Sequence, residues 1–396
     1  VKEPSILFSG VFDMQWQEVV NKAVDLRQWF HRHPELTWQE KNTAAKIRQC
    51  LTDWQVEWRA CATYGTVATL GKGKQGEHIA LRADMDALPI QEQTSLDFQS
   101  EVDGKMHACG HDGHMAALLG TILWLKLNEV QLKHPVSFLF QPAEEGGHGA
   151  KHMTDEGALE GIDFIYGWHN WPAMPFGTAV CPNGAVMSGN GSFHIQVSGL
   201  GGHASQPEVC QDPVLAAAAI TLNLQQIVSR KMPPQAAVVL SVTHLNAESS
   251  VTVIPQTAEV SGGIRLSDPK YRPQINQLIT EIAQQTAAAY GVTAQVEIRP
   301  RYEATINHPQ AAQNYRQVLA EVFGQNCDQV DLMLPIMASE DFSYYLQQIP
   351  GAFALLGMSD QTNASFSYAC HSPHYQFNDQ LIERVMRVFI NLAIKY

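Results

Sequence analysis

From Trp16 to Leu51, apolar positions recur three and four residues apart, first through VVNKAVDLRQWFHRHPEL and again through TAAKIRQCLTDW. That spacing predicts two helices, because residues so separated share one helix face, and Pro34 ends the first. GTVATLG and EHIALRADM follow as short apolar runs bounded by glycine-rich turns, the pattern of buried strands. HMAALLGTILWLKLN carries an apolar stripe over several turns, and Asp112 stands where it can cap that helix. VSFLFQ and DFIYGWH are again continuous apolar strands. Strands apolar on both faces that alternate with helices predict an α/β domain on a largely parallel sheet.

Residues 188–299 change rhythm. SFHIQVSG, AAVVLSVTHL, TAEVSGGIRL and TAQVEIR read as strands, with helices at DPVLAAAAITLNLQQIVSRK and RPQINQLITEIAQQTAAAYG. The order β-α-β-β-α-β is the split ferredoxin-like unit. Beyond it, AAQNYRQVLAEVFG, EDFSYYL, AFALLG and QLIERVMRVFINLAI return to mixed α/β character. The predicted fold is therefore α/β, with a discontinuous domain over 1–186 and 301–396 built on a mixed, mostly parallel central sheet. A ferredoxin-like βαββαβ domain over 187–300 is inserted into it.

Composition agrees with two domains: 396 residues exceed one usual core, and 45% are hydrophobic. The net charge of −13 argues against a nucleic-acid surface, while leaving room for a local basic pocket. Cysteines 50, 61, 109, 181, 210, 327 and 370 are odd in number and share no repeating spacing. That suits reduced thiols better than a disulfide framework. No apolar run approaches the ~18 to 20 residues of a membrane span. The opening VKEPSILFSGVF lacks the basic and apolar regions of a signal peptide, although a start at Val1 leaves a trimmed leader open. A cytoplasmic protein without membrane or nucleic-acid partners is the expectation.

The candidate chemistry begins at HACGHDGHMA, residues 107–116. The run suits a metal site, a cysteine nucleophile with a nearby base, or a redox thiol. Cys109 and His111 lie two apart, so they can share a site only from a turning backbone, which Gly110 permits. QPAEEGG places Glu144 and Glu145 directly after an apolar strand. Neighbouring side chains there point different ways, so one can bind metal while the other faces substrate. Taken alone, the pair reads as a solvated loop, but open α/β sheets bind ligands at such strand ends. GWHNWP adds His169, CHSPHYQFND adds His371 with His374 and Asp379 nearby, and RADMDALP adds Asp84 and Asp86. Five separate strand ends or loops thus carry nitrogen, sulfur or oxygen donors of the kind that hold zinc-like ions.

In chain order, RADMDALPIQEQT, MHACGHDGHMA, QPAEEGG, GWHNWP, GGHASQP, VIPQTAEVSGGIR, SEDFSYYLQQIPGAFALLG and HSPHYQFND span almost the whole sequence. This ordered set resembles the hippurate hydrolase and N-acyl-amino-acid amidohydrolase branch of the dinuclear-metal exopeptidases. Plant auxin-conjugate hydrolases and carboxypeptidase-type aminoacylases are relatives. The resemblance implies two divalent ions (zinc, manganese, cobalt or nickel) held by Cys109, His111, Glu145, His169 and His371. It implies Glu144 as general base, His203 of GGHASQP as oxyanion donor and Arg265 of GGIR as binder of the substrate carboxylate. Asp86, His107, Asp112 and His114 are expected to orient ligands or cap the helix. Two departures stand out: distant peptidases carry a histidine ligand where Asp84 stands, and relatives usually have asparagine where Thr252 stands.

The implied activity is cleavage of an N-acyl amino acid into a carboxylate and a free amino acid. Closure between domains, with hinges near 186 and 300, would accompany it. A homodimer through the inserted domain is a further expectation drawn from relatives. Three alternatives remain at this stage. One is a thiol amidase with Cys109 as nucleophile and His111 as base. Another is a metal-dependent carboxypeptidase or dipeptidase. The third is a scaffold that kept the fold without the activity.

Overall fold

The helices predicted on either side of Pro34 form as α1 (Gly10–Arg32) and α2 (Lys41–Asp53) in the computed structural model, which describes residues 10–360 and 362–396. The opening residues 1–9, and with them the expectation of no signal peptide, lie outside the described residues. The α1 stripe Val19, Val20, Ala23, Leu26 and Phe30 is buried. It packs on α3 (His111–Leu127), which is buried on almost every side rather than along a single stripe. A helix apolar all round belongs in the middle of a core.

The main sheet contains β1 (Trp58–Cys61), β2 (Gly65–Leu70), β3 (Ile79–Asp84), β4 (Val136–Gln141) and β5 (Phe164–Pro175). Its spatial order is β1-β2-β4-β3-β5, followed by Gly351–Ser359 and Ala179–Val180. The centre is parallel, from β4 through β3 and β5 to Gly351–Ser359, whereas β1, β2 and Ala179–Val180 join antiparallel. The sheet is thus mixed, as expected. Its central strands are buried on both faces, which explains their unbroken apolar runs. Because they are parallel, the ends of β3 and β4 and the middle of long β5 bring chemistry to one edge of the sheet.

The chain divides into two compact units. The first comprises residues up to Gly184, Ile306–Leu332 and Tyr344–Tyr396; the second comprises Ala185–Thr305 and Met333–Ser343. In the second, Gly189–Ser198, Val238–Asn246, Thr257–Leu266 and Thr293–Pro300 form an antiparallel sheet. The first of these pairs with the last two, the ferredoxin-like arrangement. Helices Pro213–Leu224 and Arg272–Ala289 cover one face, burying Phe193, Ile195, Val197, Ile220, Ile264 and Ile279. Strand Thr257–Leu266 alternates buried and partly exposed positions, as a sheet with one covered face requires. The helix expected through Lys231 ends instead at Leu224 and continues as a wider π-type turn over Ile227–Lys231. Among the described residues, no helix is long and apolar enough to cross a membrane.

Candidate metal centre

The site is built where α3 starts. Gly110 has φ 98°, a left-handed conformation that glycine adopts freely. A Cβ there would meet Asn170 Oδ1 at 2.3 Å and Tyr375 OH at 2.6 Å. Gly110 therefore makes the turn and also allows the loop to close on β5. It occupies the cap position, which corrects the expected cap at Asp112. Asp112 sits inside the first turn, where its Oδ1 accepts the Gly113 N–H at 2.9 Å. Its Oδ2 lies 2.7 Å from His31 Nδ1 and 3.5 Å from Arg27 Nη1. Burial opposes its ionisation, but His31 and Arg27 hold the carboxyl well below its usual range. Arg27 also donates to Asp379, and His31 Nε2 reaches Glu92 Oε1 at 3.3 Å. α1 is thus locked to the start of α3 by paired, buried charges, whose breaking would leave an uncompensated charge inside.

Around that turn the donors converge. Cys109 Sγ lies 3.3 Å from His169 Nε2, and His371 Nε2 lies 3.2 Å from Glu145 Oε1. Three overlapping groups, Cys109–His111–His169, Cys109–Glu145–His371 and His111–Glu144–Glu145, each have ligand atoms within 4.8 Å of one another. Nδ1 of His111 donates to the Asp86 carbonyl at 2.8 Å, and Nδ1 of His169 to the Asn170 carbonyl at 2.6 Å. A carbonyl can only accept, so in both rings Nε2 is the nitrogen left for a metal. His111 Nε2 is buried without a hydrogen-bond partner among the described residues. Burial opposes charge on this ring, yet Asp84, Asp86 and Glu145 push it up to about 10. The surrounding carboxylates require a cation here. A proton meets that requirement when no metal is bound, and the mixed N, O and S donors suit divalent ions of the zinc class.

A second layer holds these donors in place. Asp86 Oδ1 accepts Glu144 N–H at 3.0 Å, while Oδ2 accepts Glu145 N–H at 3.0 Å and Thr37 Oγ1–H at 2.7 Å. Asp86 therefore fixes the backbone of both glutamates through its carboxylate and the His111 ring through its backbone carbonyl. Just before them, Ala143 has φ 58° and donates its N–H to Glu40 Oε1 at 2.8 Å. Glu40 is fully buried; burial first and the Asp86 charge second push its pKa up to about 8.

His114, Asp84 and His111 form another donor cluster, but both His114 nitrogens are engaged. Nδ1 faces Asp84 Oδ1 at 2.6 Å and Nε2 faces Asn170 Oδ1 at 2.7 Å, while Asn170 Nδ2 donates to Tyr375 OH at 2.8 Å. His107 is buried with neither ring nitrogen hydrogen-bonded among the described residues, and burial lowers it to about 4, so it is neutral. His374 faces the Gln93 carbonyl at 3.0 Å and joins none of the donor groups among the described residues. Glu40, Asn170, Tyr375 and the Arg27–His31 pair were missed in the sequence. Each acts through a fold-dependent contact, and no local spacing announces them.

His203 and Arg265 belong to the second unit. His203 sits in the short strand Gly202–His203, opposite Val253. Its Nδ1 accepts Ser205 N–H at 3.1 Å, which leaves the ring proton on exposed Nε2. Arg265 is half-buried, with Nη1 3.4 Å from Ser339 Oγ, and Arg301 nearby repels it. Thr252 contributes its carbonyl to Ala204 N–H at 2.9 Å.

The model of peptidase family M20/M25/M40 matches residues 80–395. This chain belongs to that family. An IAA-amino acid hydrolase of Arabidopsis thaliana is 37% identical, over 96% of this chain and 86% of its own length. The hippurate hydrolase of Campylobacter jejuni is 36% identical, over 94% and 95%. Among solved structures, a dinuclear metal binding M20 peptidase of Bacillus subtilis superposes with TM-score 0.82 at 32% identity, covering 96% of this chain and 98% of that one. These findings bear out the resemblance drawn from the motifs. This M20 chain is a metal-dependent enzyme of amidohydrolase and peptidase type, and its clustered donors form a dinuclear divalent-metal site.

Proposed function

We propose that this M20 enzyme hydrolyses N-acyl amino acids to a carboxylate and a free amino acid. The observation that carries the reading is the convergence of Cys109, His111, Glu145, His169 and His371 in overlapping groups beside Glu144. Those five residues would hold two divalent ions of zinc, manganese, cobalt or nickel. When bound, such ions polarise a carbonyl and lower the pKa of water towards neutrality. Glu144, buried and oriented by Asp86, takes the proton of the attacking water and passes it to the departing amine. An amide needs that transfer because an unprotonated amine is a poor leaving group. His203, with its proton on Nε2, donates to the oxyanion, and Arg265 binds the substrate carboxylate.

The substrate class is supported by relatives whose names specify IAA-amino acids, N-acetyl-L-cysteine and hippurate, all of them amino acids acylated on nitrogen. A carboxypeptidase activity is the second reading, supported by a 32% identical thermostable carboxypeptidase. The thiol-amidase reading fits poorly, because the imidazole against Cys109 Sγ is His169 and not His111. The adjacent Cys370 side chain, burial and neighbouring Glu145 and Glu144 also oppose a thiolate there without a metal. We further place the enzyme in the cytoplasm, in keeping with its free cysteines. We infer a homodimer through the second unit, whose sheet ends on Val238–Asn246 with Val239 and Leu245 exposed.

The test is Glu144→Gln, assayed on acetyl, benzoyl and indolylacetyl amino acids beside blocked dipeptides. Turnover should fall by roughly 1,000-fold or more while two metal ions per chain remain. Near-normal activity of the variant would reject the mechanism, and dipeptide cleavage alone would select the carboxypeptidase reading.

A further inference from the structure

Cys370 directly precedes His371, in a segment outside helices and strands. A backbone bond from His371 N–H to the Ala108 carbonyl, 2.7 Å long, ties this segment beside Cys109. Cys370 Sγ lies 3.9 Å from the Cys109 carbonyl oxygen and 3.9 Å from Asn170 Nδ2. The two thiols are neighbours, and the Cys370 side chain, with burial, pushes the Cys109 thiol up. Cys109 is buried, whereas Cys370 is partly open to solvent. Cys50, Cys61, Cys181 and Cys327 are buried as well. The chain thus sets a solvent-reachable thiol against a sheltered one that faces the metal donors.

We propose that Cys109 and Cys370 are a redox-active pair, joined by hydroperoxides into a disulfide that withdraws the sulfur donor from the metal centre. In the first step the Cys370 thiolate attacks one oxygen of the peroxide. The O–O bond breaks, Cys370 becomes a sulfenic acid, and water (or an alcohol, for an organic peroxide) departs. In the second, Cys109 sulfur attacks that sulfenic sulfur, the S–S bond forms and a second water leaves. Two thiols and one peroxide give one disulfide and two waters, and the two electrons from sulfur end on the peroxide oxygens. The partly exposed segment carries Cys370 to its partner, because a disulfide requires sulfurs about 2.05 Å apart. Metal bound to Cys109 ties up that thiolate, so the pair closes as the ion dissociates, and closure prevents rebinding. A dithiol reductant reverses the step by exchange. The regulatory consequence rests on the proposed role of Cys109 as a metal donor. Formation of the disulfide does not.

The experiment treats metal-loaded enzyme with hydrogen peroxide and follows three readouts: the cross-linked peptide by mass spectrometry, released metal with a chromogenic chelator, and activity. The expected product links the peptides bearing Cys109 and Cys370 and is lighter by two hydrogens. Metal should leave in step with the link, and dithiothreitol with added metal should restore activity. Cys370→Ser, starting from the same metal content, should form no link and release metal roughly tenfold more slowly. Cys370 carried to a sulfinic acid without a link, a link between other cysteines, or equally fast metal loss in the variant would each overturn the proposal. A Cys109–Cys370 link that forms without metal release would overturn the switch and locate the error in the metal role of Cys109. The wild-type peptide map stands alone should the variant fold poorly.

Discussion

Glu40 offers a sharp quantitative test of how the site is held. Its carboxyl is fully buried, accepts the Ala143 N–H at 2.8 Å and is pushed to about 8, against 4.5 in the unfolded chain. Between those values the native state keeps a proton that the unfolded state releases. The native state then binds more protons, so stability falls as pH rises from 4.5 to 8. At about 1.4 kcal/mol per unit, holding Glu40 neutral at pH 7 destabilises the native state by about 3 kcal/mol. Glu40→Gln keeps the acceptor for Ala143 N–H and cannot ionise. It should match wild type near pH 4.5 and exceed it by about 3 kcal/mol at pH 7, with a rise in Tm on the order of 5 °C. The assay is thermal unfolding of both proteins, metal-free, across pH 4.5–8, read as the difference between them. A difference that stays flat with pH would refute the buried neutral carboxyl.

Two further substitutions probe the geometry. Asp86→Ala strips the acceptors of Glu144 N–H and Glu145 N–H, and should weaken metal affinity by about 10- to 100-fold in competition with a chelator; unchanged affinity would deny Asp86 its positioning role. Gly110→Ala puts a Cβ 2.3 Å from Asn170 Oδ1 at φ 98°, and should lower stability by roughly 2 to 4 kcal/mol, with a Tm within 1 or 2 °C of wild type as the contrary result.

Much of the architecture is legible in one dimension, because burial on both faces of a parallel strand leaves a continuous apolar run. VSFLFQ and DFIYGWH read directly as β4 and the first part of β5. The βαββαβ order of the second unit is equally plain, since helices and strands bury surface with different periods. The candidate ligands are legible for a related reason: Cys109, Glu145 and His371 lie in turns or loops, His111 opens α3, and His169 sits within β5, each a donor conspicuous beside apolar neighbours.

The supporting shell is decided by tertiary structure alone. Asp112 looks like a helix cap in the sequence because its spacing from the apolar stripe is right. Only the packing of α1 supplies His31 and Arg27, which hold its Oδ2 while Oδ1 accepts the Gly113 N–H from inside the turn. Glu40 carries no signal in the sequence, and only the fold buries it against the Ala143 N–H. Cys370 looks like one cysteine among seven until a backbone bond brings it beside Cys109, 261 positions away in the chain. The sequence by itself determines which segments bury apolar surface and which positions carry donors, because both depend on local pattern. Orientation, protonation and pairing depend on which distant groups share a low-dielectric interior, and only the folded chain decides that.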